Sequence, residues 1–167
     1  MSVRGIGGIS SRDTTNTSVE TVIFMQADDA IPVGSAVMLD TGSTRSVPLV
    51  VPATQALDHA FIGIYEGRGG TGDSTTADFG PDRYDAVAGD AIEIVVKGPV
   101  LARVDGGTVD VAAGDPLWIF TTAGTLGPVT ASAELGVPTR IIALAAQTDT
   151  LAAQVTALAE ATLVYLL

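Results

Sequence analysis

The chain has 167 residues, 47% of them hydrophobic and 16% charged, with 8 basic and 19 acidic side chains for a net charge of −11. That length fits one domain of ordinary size, too apolar to be disordered and large enough to bury a core without a metal or disulfide. With no cysteine and a single histidine, thiolate chemistry and multi-histidine metal centres are excluded, and the acidic balance argues against binding nucleic acid through its phosphates.

Residues 1–18 are mostly Gly, Ser, Thr and Asn with scattered charge. They cannot build a core and lack the apolar run of a signal peptide, so synthesis and use without export are expected. The stretch reads as an extended arm, separate from a single β-rich domain over 19–167. Ordering such a sequence costs about 1–2 kcal/mol of backbone entropy per residue, so another protein chain is expected to hold it. Val3, Ile6 and Ile9 are candidate anchors along a partner's sheet edge, Ser2 lies among them, and Arg4 and Arg12 can pair with carboxylates.

After residue 18 short apolar runs alternate with Gly, Pro, Asp and Ser. The pattern predicts strands near 19–25, 36–40, 47–51, 60–66, 91–97, 100–104, 108–111, 116–121, 140–146 and 161–167. This is an all-β pattern, a compact barrel or sandwich. In Ala91–Lys97, Ile92, Ile94 and Val96 fall on one face, Glu93 and Lys97 on the other, as in a half-buried strand. Lys97-Gly98-Pro99 should bend or bulge the chain. Residues 150–160 carry Leu151, Val155 and Leu158 at helical spacing behind a capping Asp149, predicting one short helix, with a strand pair as the competitor. No run of about 20 apolar residues exists to span a membrane.

An internal echo links the two halves. Ile31-Pro32-Val33-Gly34-Ser35-Ala36-Val37-Met38-Leu39 resembles Val111-Ala112-Ala113-Gly114-Asp115-Pro116-Leu117-Trp118-Ile119. A second strand follows 28 positions after Gly34, at Ile62, and 27 after Gly114, at Ile141. Duplication and chance similarity among short strands both give such an echo. Val87-Ala88-Gly89-Asp90 supplies a further Gly-Asp turn.

Chemistry has little material. Gly67-Arg68-Gly69-Gly70-Thr71-Gly72 matches a dinucleotide-loop pattern, but no apolar helix follows and Asp73 would repel phosphate, so a flexible loop is the better reading. The long loop between Glu66 and Asp85 is of a kind often functional or mobile. Asp73, Asp78, Asp82 and Asp85 fit no calcium-loop spacing and read as solvated carboxylates. His59 beside Asp58 has no nucleophile motif to serve and reads as a surface or turn residue. Trp118 reads as a core ring or an interface residue rather than a sugar platform. No catalytic residue, cofactor site or metal site is expected.

The strings Ile31-Pro-Val-Gly-Ser-Ala-Val, Phe61-Ile-Gly-Ile and Val87-Ala-Gly-Asp-Ala-Ile-Glu-Ile-Val-Val-Lys-Gly-Pro-Val together resemble the small decoration or cement proteins of tailed-bacteriophage capsids. Ala113-Gly114-Asp115-Pro116-Leu117 repeats the cue, while Ser35 stands where the pattern has Asp. The resemblance implies a β-rich, non-enzymatic virion protein, often a homotrimer, made in the host cytoplasm and seated on the outer capsid surface. Its implied partners are the major capsid protein and itself, with no nucleic acid and no membrane. The rival readings are a phage tail or baseplate component, or an enzyme or ligand-binding barrel using residues 66–85 as a lid.

Overall fold

A computed structural model describes residues 9–11, 19–42, 48–73, 79, 82–104, 110–120, 122–128, 141–146 and 161–167. Ten strands form: β1 (Ile9–Ser11), β2 (Val19–Ala27), β3 (Ala36–Leu39), β4 (Leu49–Pro52), β5 (Phe61–Tyr65), β6 (Ala91–Arg103), β7 (Pro116–Ile119), β8 (Leu126–Pro128), β9 (Ala143–Ala145) and β10 (Ala161–Leu166). A short 3-10 helix, Gln55–Ala60, precedes β5 and kinks at Leu57. Among the described residues there is no α-helix, and the all-β expectation holds. The helix expected over 150–160 lies outside the described residues. Of the strand expected over 108–111, the described part reaches only a bridge at Val111.

The strand order is β1-β2-β4-β3-β5-β6-β10-β9-β7-β8, with β2 also paired to β6. That extra pairing closes β2, β4, β3, β5 and β6 into a five-stranded barrel. A parallel bridge between Val104 and Leu126 closes β6, β10, β9, β7 and β8 into a second ring. Closure removes the open edges that a lone sheet would expose.

The two rings share β6. The bend or bulge expected at Lys97-Gly98-Pro99 falls inside one strand of 13 residues, beside an irregular register. The strand also changes neighbours at that point. Residues up to Lys97 pair with β2, and Gly98 onward pair with β10. Gly98 adopts φ 100°, and the β2 register slips between Thr21 and Val22. Pro99 therefore removes its donor where one partner has already left.

The echo in the sequence is a duplication of topology and register. Ala36 opposite Ile64 and Val37 opposite Gly63 recur 80 positions on as Pro116 opposite Leu144 and Leu117 opposite Ala143. Ile62 thus corresponds to Ile142, not to Ile141. Met38 opposite Val51 recurs as Trp118 opposite Gly127, across a shorter hairpin. Ile64 opposite Val95 recurs as Leu144 opposite Tyr165. Even the parallel contact repeats, Ala27 with Val50 becoming Val104 with Leu126. The backbone bonds Gly34 N to Tyr65 O and Tyr65 N to Ser35 O reappear as Gly114 N to Ala145 O and Ala145 N to Asp115 O.

The core has two parts. One fills the first barrel with Ile31, Val33, Val37, Val50, Tyr65, Ile92 and Ile94. The other fills the second barrel with Val100, Ala102, Leu117, Ile119, Val164 and Leu166, and takes in Ala36, Met38, Ile64 and Val95 from the outside of the first. Residues 91–97 are the half-buried strand that the alternation predicts, with Ile92 and Ile94 buried and Lys97 exposed, except at Val95. Ile94 and its neighbour Val95 are both fully buried, because the second barrel covers the face that the alternation pattern leaves to solvent. At about 25 cal/mol per Å² of apolar surface removed from water, this shared seam stabilises both barrels at once.

Candidate functional site

Three turns explain the recurrent Gly-Asp signature. In each, the fourth residue's amide bonds the first residue's carbonyl: Ser35 to Pro32, Asp90 to Val87 and Asp115 to Ala112. The third residue is Gly34, Gly89 or Gly114, with φ between 80° and 100°, a region that L side chains enter at a cost. The Asp carboxylates also accept from the first residue's N–H: Asp90 from Val87 at 2.9 Å and Asp115 from Ala112 at 2.8 Å. In the remaining turn that residue is Pro32, which has no N–H to give. Ser35 in place of Asp follows directly, since a carboxylate there would lose its bond at a site only 2% exposed.

Asp90 also accepts from the Thr71 amide at 2.8 Å and the Thr71 hydroxyl at 2.9 Å. Desolvation pushes its carboxyl up, but the bonds from Val87 and Thr71 outweigh that and hold it below the usual carboxylate range.

The described parts of the 66–85 loop are fastened down rather than flexible. Tyr84 N bonds Gly67 O, Gly72 N bonds Asp85 O, and Glu93 N bonds Arg68 O. The Tyr65 hydroxyl donates to Tyr84 O at 2.6 Å, and Val33 N donates to the Asp85 carboxylate at 2.8 Å. Burial pushes the Tyr65 phenol far above its ordinary range, so it stays a neutral donor. Phe79 from the same loop is buried, with the Arg103 guanidinium 6.0 Å from its ring centroid. Arg103 in turn donates to Val33 O at 2.7 Å, tying β6 to the first turn.

The other candidate groups do not assemble into a catalytic or metal site. Asp85 serves the Val33 amide, Asp73 O accepts from Asp85 N, and Asp78 lies outside the described residues. Among the described residues no three His, Cys, Asp or Glu side chains gather as metal ligands. The buried acid among them is Glu66, 3.8 Å from Arg83. His59 falls in the 3-10 helix. Trp118 is buried on β7, and its Nε1 has no hydrogen-bond partner among the described residues. Of the stretch read as an arm, Ile9, Ser10 and Ser11 pair with Thr21, Glu20 and Val19 of the chain's own β2. Ser2, Val3, Arg4, Ile6 and Arg12 lie outside the described residues.

One surface missed from the sequence is apolar and uncovered. On β10, Leu163, Tyr165 and, just beyond it, Leu167 alternate with buried residues and are 37%, 48% and 63% exposed. Across the ladders Leu163 faces Leu101, and Tyr165 lies between Pro99 and Leu144. Ile141 is exposed beside β9. Such patches on a folded surface are commonly contact sites.

The described residues thus carry an exposed apolar face and no cluster of metal-ligating side chains. The sequence model of one family, described as structural cement protein (E217 gp24/Pam3 gp6), matches residues 4–164. The chain belongs to that family. It is therefore a structural protein of the phage virion, and its place is on the capsid. No curated protein matches. Among solved structures, the head fiber gp8.5 N base in bacteriophage phi29 is similar, at 14% identity and a TM-score of 0.46 over 87% of this chain and 93% of that one. No helix among the described residues is long and apolar enough to cross a membrane.

Proposed function

We propose that this protein binds the outside of a phage capsid and stabilises contacts between major capsid protein subunits, acting as a homotrimer and without catalytic activity. The family match over residues 4–164 carries the reading. The fastened 66–85 loop and the apolar face on β10 support a contact protein over a lidded enzyme. A net charge of −11 suits a protein that works away from the packaged DNA.

β1 is the outermost strand of the sheet. We assign binding of the shell or a neighbouring chain to Ser2, Val3, Arg4, Ile6, Ile9 and Arg12, on and beside that strand in the sequence.

The test is to mix purified protein with undecorated shells. Saturable binding and a higher temperature of shell disruption are expected. Absence of binding, or binding that leaves shell stability unchanged, contradicts the reading. Deleting residues 2–8 should leave the melting temperature of the unbound protein alone and lower its occupancy on shells. Full occupancy after the deletion removes the arm from the mechanism.

A further inference from the structure

The duplication shows what covers the outer face of a barrel of this kind. In the first barrel, Val22, Val95 and Ile64 stand side by side across β2, β6 and β5. All three are buried, and Ile64 and Val95 join the core of the second barrel. Their counterparts in the second barrel, by register, are Pro99, Tyr165 and Leu144. Those three face outward, and Tyr165 is 48% exposed.

The next positions sharpen the contrast. Glu93 corresponds to Leu163, and Lys97 corresponds to Leu167. At these two places the first barrel carries charge and the second carries leucine. We propose that a second copy of this chain docks on the Pro99–Leu144–Leu163–Tyr165 face, repeating between chains the contact the two barrels make within one. This rests on the self-assembly proposed above and names its surface.

Two observations favour a second copy as the occupant. The equivalent face is already covered, and what covers it is a barrel of the same fold. In addition, each copy carries a net charge of −11, so two copies repel broadly, and the uncharged Pro99, Leu144, Leu163 and Tyr165 are where they meet at least cost.

A repeat of the internal contact sets one face against a different surface of the next copy. Such heterologous contacts close into rings, as a trimer requires. One bond of the internal seam is missing from the repeat. Ala36 N donates to Gly124 O at 2.8 Å, but the counterpart of Ala36 is Pro116, which has no N–H. The contact between copies is correspondingly weaker than the one within a chain.

The test is the solution mass by light scattering across a concentration series, without capsids. Wild type should assemble. Leu163→Glu and Tyr165→Glu should shift to monomer with unchanged melting of the monomer, while Phe24→Ser, at an exposed apolar residue of the first barrel, should assemble as wild type does. If a glutamate variant does not fold, Tyr165→Cys serves. The chain has no other thiol, so its reaction with a maleimide should slow as concentration rises. Glutamate variants that stay assembled, or a thiol that reacts at one rate throughout, overturn the assignment of this face while leaving self-assembly standing. A wild-type protein that is monomeric at every concentration overturns both. Variants that assemble normally but no longer bind shells give the face to the capsid and likewise overturn the proposal.

Discussion

The two barrels have one topology and nearly one set of registers, yet they make different demands on the residues they share. The turn before β3 and the turn before β7 both place glycine at positive φ. Around Gly114 nothing lies within 4 Å of where a Cβ would sit, whereas at Gly34 that position is taken by the Phe79 ring. Gly63 and Ala143 are likewise equivalents. A Cβ on Gly63 would collide with the Val95 carbonyl, but the methyl of Ala143 is buried without exposure in the second barrel. The backbone plan is common to both copies. What differs is Phe79 of the 66–85 loop beside Gly34 and the close approach of β6 at Gly63, and these decide which positions tolerate a side chain.

The largest separation between the barrels is expected at Gly63. Gly63→Ala forces backbone apart and should destabilise by about 3 kcal/mol or more. Ala143→Gly, the reverse exchange in the other barrel, loses one methyl and strand entropy, about 1–2 kcal/mol. Urea melts of the two variants measure both. Equal losses would mean that β6 does not approach β5 at Gly63 as closely as described.

The paired turns come next. Gly114→Ala should cost only the strain of a left-handed alanine, about 1–2 kcal/mol. Gly34→Ala adds displacement of Phe79, so its loss should be clearly greater, and the Arg103 and loop contacts should loosen with it. Hydrogen exchange at Tyr84 and Asp85 amides reads the second effect.

Smaller differences are expected from the turn carboxylates. Asp115→Ala and Asp90→Ala each remove bonds to backbone amides, about 1 kcal/mol apiece. Ser35→Asp should destabilise rather than improve its turn, since Pro32 offers no donor. The Asp90 carboxyl is held below its unfolded value. Its contribution is therefore present above the unfolded pKa and disappears as pH falls through the folded one, in the acid range below about 4. Asp90→Asn should flatten that part of a stability-against-pH curve. An unchanged curve would show that the Thr71 and Val87 bonds do not favour the ionised form.

Much of this fold is legible in the chain itself. Runs such as Val19–Met25 and Ala36–Leu39 are apolar, β-branched and bounded by turn residues, and the Gly-Asp turns announce where strands begin. The misses have physical causes. Leu126-Gly127-Pro128 forms β8 although two of its three residues disfavour strands, because pairing with β7 overrides propensity. Gly98-Pro99 reads as a bend or bulge, and the sequence alone does not say that it also marks a change of neighbour within one strand. The face on β10 was hidden because Ala-Thr-Leu-Val-Tyr-Leu-Leu is apolar on both sides, leaving no alternation to say which side is covered. An apolar run of that kind near a duplicated unit is the signal that could have found it. Trp118, read as core or interface, corresponds to Met38 in the seam and is itself buried.

The most direct measurement is an electron cryomicroscopy map of shells decorated with this protein. The expected map has the two-barrel body on the outer surface, bridging neighbouring major capsid subunits, with Pro99, Leu163 and Tyr165 of each copy covered by another copy. Bodies found only at the tail, or seated singly on the shell with that face open to solvent, would contradict it.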